Sequence, residues 1–145
     1  MTKNKSFIGL LICFGLMFVA FSCKEKEVCP PLPCAPGVII CAEVFENTPE
    51  YLEYASISNL RIEGDYLKFT VASSGCSGST WIVKLLAGPL AYTNPPTMTL
   101  RVHFENNEDC EAYFYREFSF NIECLQTQGG SMILNIAGQS ILYEY

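Results

Sequence analysis

Between Met98 and Glu105, apolar and polar residues alternate without a break. Met98, Leu100, Val102 and Phe104 stand against Thr99, Arg101, His103 and Glu105. Successive side chains of a strand point to opposite faces, so this spacing predicts a half-buried β-strand. The same period recurs in Leu67, Phe69 and Val71 against Tyr66, Lys68 and Thr70, and again in Met132, Leu134 and Ile136. Turn signals separate the runs: Glu63-Gly64-Asp65, the stretch SSGCSGS from Ser73 to Ser79, Gly88 to Pro96, Asn106 to Asp109, Gln126 to Ser131, and Gly138-Gln139. Short strands at this spacing, with little helix, predict an all-β domain over residues 38–145. A polar face on each strand is the habit of antiparallel sheets. The expected architecture is a two-sheet, immunoglobulin-like antiparallel sandwich, with a small closed β-barrel as the alternative.

Three local expectations refine that picture. Val38 to Phe45 reads as one β-rich run, and Asn47-Thr-Pro-Glu50 as a helix start leading into Tyr51 to Tyr54. Thr80 to Leu86 reads as a strand carrying Trp81. In the run from Glu111 to Glu123, Arg116 shares the phase of Phe114, Phe118 and Phe120. A charge on an apolar face predicts a bulge or a switch between sheets there.

The first 23 residues decide the compartment. Lys3 and Lys5 precede an unbroken apolar run from Phe7 to Phe21, and Ser22-Cys23 closes it. This basic, apolar, small-residue order predicts an export signal over residues 1–22. The run is short for a membrane span and carries Gly9 and Gly15. Ala20-Phe21-Ser22-Cys23 resembles the lipobox of bacterial lipoproteins, in which the cysteine is lipidated and becomes the first mature residue. Phe21 and Ala20 depart from its strict form, and ordinary cleavage after Ser22 is the alternative. The resemblance implies a membrane partner reached through lipid on Cys23. Lys24-Glu25-Lys26-Glu27 resembles the tag that sends such lipoproteins to the outer face of the outer membrane. The expected location is therefore the outer membrane at the cell surface, with the periplasmic face as the alternative; a solvated spacer is the plain reading of the charge run.

Residues 23–37, with Pro30, Pro31, Pro33 and Pro36, read as a semi-rigid tether. The chain has eight cysteines. Cys13 falls in the signal and Cys23 at the lipid site, leaving Cys29, Cys34, Cys41, Cys76, Cys110 and Cys124. An even set in an exported chain reads as disulfides rather than a metal site, since His103 is the lone histidine and lies far from the closest pair. The expected pairs are Cys76–Cys110, Cys41–Cys124 and Cys29–Cys34. No metal and no cofactor is expected.

Without residues 1–22 the chain carries seven basic and fifteen acidic residues, a formal charge of −8. That balance argues against nucleic acid as a partner, which needs a basic surface. The Ser73–Ser79 loop lacks the Gly-Lys-Ser/Thr ending of a phosphate loop and reads as a turn pinned by a disulfide.

Several segments are similar to those of small lipoproteins of Bacteroidota-type bacteria: Ser56-Ile-Ser-Asn-Leu-Arg-Ile-Glu-Gly-Asp65, Ser74-Gly-Cys-Ser-Gly78, Cys110-Glu-Ala112 and Ile141-Leu-Tyr-Glu-Tyr145. The likeness spans about residues 38–145 and implies a small β domain. It implies no reaction, and where some relatives carry a histidine this chain has Ser79, so no metal role transfers.

No catalytic residue stands out. His103 sits between Arg101 and Glu105 on the polar face of its strand, which reads as a solvated face. Tyr113 and Tyr115 lie two apart, on the face opposite Phe114, and are the candidate binding residues for a glycan or protein partner; sheet stabilisation is their plainer role. The expected function is a surface binding or structural module with its ligand open. The alternative is an accessory subunit or enzyme acting on extracellular glycan or peptide. A concave site holding two carboxyls would favour the enzyme, and an aromatic surface would favour binding.

Overall fold

The computed structural model describes residues 38–50, 52 and 55–145. The expected signal and tether lie outside the described residues. So do Cys23, Cys29 and Cys34, and all but Leu52 of the helical turn expected over Tyr51–Tyr54.

Eight strands form two sheets. They are β1 (Val38–Ile40), β2 (Ala55–Glu63), β3 (Tyr66–Ser74), β4 (Ile82–Ala91), β5 (Thr97–Glu105), β6 (Tyr113–Asn121), β7 (Ser131–Ile136) and β8 (Gln139–Glu144). The larger sheet has the order β1-β4-β5-β7-β8, and the smaller one β2-β3-β6. The sheets do not close on one another, so the fold is a β-sandwich and not a barrel. The smaller sheet is wholly antiparallel, as expected. The larger sheet is mixed, with β1 parallel to β4 and β5 parallel to β7. Among the described residues no helix is long and apolar enough to cross a membrane.

The alternating residues meet between the sheets. Leu67, Phe69 and Val71 of β3 face Leu100, Val102 and Phe104 of β5, together with Met132, Leu134 and Ile136 of β7, and all are essentially buried. Phe69 stacks on Phe120 of β6, ring centroids 5.6 Å apart. Ile57, Leu60 and Ile62 cannot share one face of a straight strand. A bulge between Ser58 and Arg61, with Asn59 at φ 53°, brings them into one phase against β3.

Three local expectations are corrected. The run from Val38 leaves the sheet at Cys41, and Ala42–Asn47 form a short helix, α1. Asn47 ends this helix instead of starting one; its Nδ2 donates to the Glu43 carbonyl at 2.8 Å. Phe45 explains the switch. It is the one buried residue of α1, and it lies on the outer face of the larger sheet against Gly88, where a β-carbon would stand 2.8 Å from its ring. The Arg101 guanidinium lies 4.0 Å from the centre of that ring. It donates to the Phe45 carbonyl, and to the Thr48 carbonyl at 3.2 Å, satisfying the end of the helix.

Second, β4 does not stop before Gly88. A register shift between Ala87 and Leu90 carries it through Gly88-Pro89 to Ala91. Third, β6 has no bulge at Arg116. Its pairing with β3 is continuous from Asn121 to Tyr113. Arg116 keeps the inward phase because it reaches past the core to the Ser74–Thr80 loop and donates to the Gly78 carbonyl.

The strands define two ends of the sandwich. At one, the loops after β3 and β5 meet near the start of β6. At the other, the β2–β3 turn, the β4–β5 loop and the segment before β7 come together with the end of β8.

Candidate binding surfaces

At the first end, Cys76 and Cys110 form the expected disulfide, with Cα atoms 4.8 Å apart. It joins the small-residue loop to the segment after Asn106–Asp109. That loop is more than a pinned turn. Glu108 reaches into it, and its Oε2 accepts hydrogen bonds from the backbone N–H groups of Cys76 at 2.6 Å, Ser77 at 2.9 Å and Gly78 at 2.8 Å. Its Oε1 accepts from the Thr80 hydroxyl at 2.7 Å and from the Thr80 N–H at 3.3 Å. Successive N–H groups aimed at one point form an anion-binding concavity, here occupied by the chain's own carboxylate. These donors, led by the Ser77 and Gly78 N–H groups, hold the Glu108 carboxyl down at about 2. A β-carbon at Gly75 would stand 2.5 Å from Glu108 Oε2, so a larger residue there would displace the carboxylate from its donors. Sequence patterns pointed at the loop but not at its occupant, since nothing in Asn106–Asp109 marks which acid turns inward.

Cys41 and Cys124 are also disulfide-bonded.

Tyr113 and Tyr115 lie near this first end, at the start of β6, an edge strand of the smaller sheet. They are 55% and 69% exposed, and their rings meet edge to face with centroids 5.4 Å apart. Their partners across the strand are small: Tyr115 pairs with Ala72, and Tyr113 with Ser74. Farther along the same face, Arg61 bonds Glu63 at 2.7 Å and Glu117 at 2.6 Å, and Lys68 also bonds Glu63. The charges of that face are therefore matched with each other.

His103 is less solvated than its neighbours in sequence suggest. Its Nε2 lies 3.1 Å from Glu105 Oε1, which also accepts from Lys84 Nζ at 2.8 Å. Its Nδ1 is buried without a hydrogen-bond partner. Glu105 thus holds the ring, its own carboxyl lowered chiefly by the Lys84 hydrogen bond. No hydroxyl or thiol among the described residues is hydrogen-bonded to this histidine. Among the described residues no group of three or more His, Cys, Asp or Glu is placed to hold a metal.

The second end holds a pocket that sequence reasoning did not find. It is an open cleft of about 590 Å³. The β4–β5 loop contributes Leu90, Tyr92, Thr93, Asn94 and the Pro95-Pro96 pair. The segment before β7 contributes Thr127, Gln128, Gly129 and Ser131. Tyr92, at 92% exposed, is the most exposed large apolar side chain among the described residues. The pocket walls are anchored from below. Ile133 N–H donates to the Pro96 carbonyl at 2.8 Å, and Tyr145 N–H to the Gly130 carbonyl at 2.9 Å. The Tyr145 hydroxyl accepts from Thr127 N–H at 2.9 Å. Deeper, the fully buried Tyr143 donates to Asp65 at 2.6 Å, and Gln126 donates to both groups. This network ties the smaller sheet's β2–β3 turn to β8 of the larger sheet. Burial and the Asp65 carboxylate push the Tyr143 hydroxyl up to about 12. The sequence cues to the pocket were two turn signals, Asn94-Pro-Pro and the stretch from Gln126 to Ser131, and a turn signal does not report concavity.

No family model and no curated protein matches this sequence. Among solved structures, the chain is similar to a protein of Parabacteroides distasonis provisionally described as toxin-related, at 17% identity and a TM-score of 0.45. The match covers 74% of this chain and 58% of that one, so the chain spans little more than half of that structure's length. A likeness this remote has no bearing on function.

Proposed function

We propose that this protein is an envelope binding module that takes its ligand in the pocket between the β4–β5 loop and the segment before β7. The observation that carries the reading is the character of that pocket. Binding sites of small ligands are concave, of about 300–1,000 Å³, largely apolar, with a few polar groups that fix orientation. This one offers Leu90, Pro95 and Pro96 as apolar wall, Tyr92 as an aromatic flank and two side-chain amides. No carboxylate is among the described residues that line it, which favours binding over the two-carboxyl chemistry of glycan hydrolysis. Tyr113 and Tyr115 form a second aromatic surface at the opposite end, suited to a flat partner.

Hydrogen exchange of the mature, detergent-solubilised chain tests the choice, with a fragment library of neutral sugars, capped peptides and aromatic compounds as probes. Slowed exchange is expected in the 92–97 and 127–131 segments. Slowing confined to 113–115 would move the site to the tyrosine pair.

The module is carried on the membrane by lipid on Cys23. Each buried methylene contributes about 0.8 kcal/mol, so two or more acyl chains anchor a protein that one chain does not hold stably. Intact mass of membrane-extracted protein is expected to exceed the peptide mass by a diacylglyceryl group; an unmodified Cys23 would refute the anchor. Protease added to whole cells is expected to shave the domain from the outer surface, whereas cleavage only after lysis would put it on the periplasmic side.

A further inference from the structure

The polar groups of the pocket are selective in kind. None of the described residues that line it is Asp, Glu, Lys, Arg or His, although residues 23–145 carry a formal −8. A charged ligand would shed part of its hydration in this open cleft and meet no counter-charge on its walls, which is unfavourable. An anionic one would also meet the repulsion of the whole chain.

The backbone at the rim is largely committed. The carbonyls of Pro96 and Gly130 accept from Ile133 and Tyr145, and the Pro95 carbonyl accepts from the Thr93 hydroxyl at 2.8 Å. Pro95 and Pro96 have no N–H to offer. Recognition of a peptide by strand addition needs a free row of N–H and C=O groups, and β5 and β7, which border the pocket, each already pair on both sides. What remains are side chains: the amides of Asn94 and Gln128, the Ser131 hydroxyl and the Tyr92 ring. No intramolecular hydrogen bond engages those two amides among the described residues. An amide both donates and accepts, which matches a hydroxyl group that does the same. An exposed aromatic ring beside it suits the apolar C–H face of a sugar ring, as its own hydroxyl edge suits water.

From this combination we infer that the pocket takes a neutral saccharide, with Tyr92 stacking on a sugar ring and Asn94 and Gln128 bonding its hydroxyls. The inference rests on the pocket being the binding site, as proposed above. It narrows the ligand to an uncharged, hydroxyl-rich class and excludes acidic sugars.

The test is an NMR titration of the mature, isotope-labelled chain in detergent. The probes are neutral disaccharides of glucose, galactose, mannose, xylose and N-acetylglucosamine, a glucuronic-acid disaccharide, and a capped neutral tripeptide. At least one neutral disaccharide is expected to shift the amides of Tyr92, Thr93, Asn94 and 127–130, with the acidic one much weaker. Tyr92→Ala is expected to weaken that binding about tenfold or more, the cost of losing an aromatic anchor. Tyr92→Phe is expected to keep it, and Asn94→Ala and Gln128→Ala each to weaken it. These side chains are exposed, so the variants fold, and unshifted core resonances verify that. Silence from every neutral disaccharide overturns the saccharide class. If the tripeptide shifts the same amides instead, the pocket stands as the site and only its ligand class falls. If the sugars shift Tyr113 and Tyr115 rather than the pocket, the pocket itself is refuted. Equal binding of the acidic disaccharide overturns the argument from neutrality.

Discussion

Glu108 is the residue on which the most local order depends. One carboxylate satisfies N–H groups of Cys76, Ser77, Gly78 and Thr80, donors that a loop of small residues could not pair by itself. Its pKa in the folded chain, about 2, lies below the ordinary 4.5. As pH falls, the unfolded chain therefore takes up this proton first. The stabilisation is complete above about 4.5 and is lost as pH falls towards about 2. Glu108→Gln is expected to lower the urea midpoint at neutral pH and to flatten the loss of stability across that acid window. Trp81, the only tryptophan, lies buried beside the loop and supplies the fluorescence signal. An unchanged acid limb in the variant would show that other carboxylates carry it. Gly75→Ala is a steric counterpart: its β-carbon collides with Glu108 Oε2, and a loss of about 1–3 kcal/mol is expected from overpacking.

Among the elements, α1 shows how a short segment is held by its partner and not by its own propensity. Six residues are too few for a stable isolated helix. Phe45 against Gly88, Arg101 over the Phe45 ring, and Arg101 on the last carbonyls supply what the helix lacks. Gly88→Ala would push a methyl group into the ring. The expected result is faster hydrogen exchange over 42–48 and a loss of about 1–3 kcal/mol in urea unfolding. Protection unchanged in α1 would mean that the helix does not depend on this contact. The sequence showed Val38 to Phe45 as strand because Val-Ile-Ile and Val44-Phe45 have β propensity. It could not show that a glycine 43 positions after Phe45 opens a seat on the outer face of the sheet. Arg116 is a parallel case. A charge in an apolar phase reads locally as a bulge, but the Gly78 carbonyl that receives it lies in another loop.

For the whole molecule, two long-range ties hold the ends of the sandwich. Cys76–Cys110 closes 34 positions of sequence at one end. In the chain-entropy account, a loop of that size contributes about 3–4 kcal/mol, a large part of a small domain's stability. Cys110→Ser is expected to cost that amount and to loosen the Glu108 loop first; a variant as stable as the parent would discount the bridge. At the other end, the Tyr143–Asp65–Gln126 network joins the two sheets under the pocket. Tyr143→Phe leaves those partners short of one hydroxyl, and about 1–2 kcal/mol of destabilisation is expected. Because the Tyr143 pKa is raised to about 12 from 10.0, its stabilisation is complete below 10 and lost as pH rises through 12. The phenylalanine variant is therefore expected to lose less stability than the parent over that alkaline range.

The residues by themselves determined the period of β3, β5 and β7, most of the turns, and which side chains of those strands face the core. Met98 to Glu105 and Met132 to Ile136 needed nothing beyond their own alternation. They also supported one long-range statement, the pairing of Cys76 with Cys110. Tertiary structure alone decided that the larger sheet is mixed, that Glu108 fills the small-residue loop, that Phe45 turns a strand into a helix, and that two unremarkable turns form a pocket. Alternation is a local property, because each residue's face is set by its neighbours in the chain. A parallel pairing, an anion cradle and a cavity are properties of segments far apart in sequence, and they exist only once the sheets have brought those segments together.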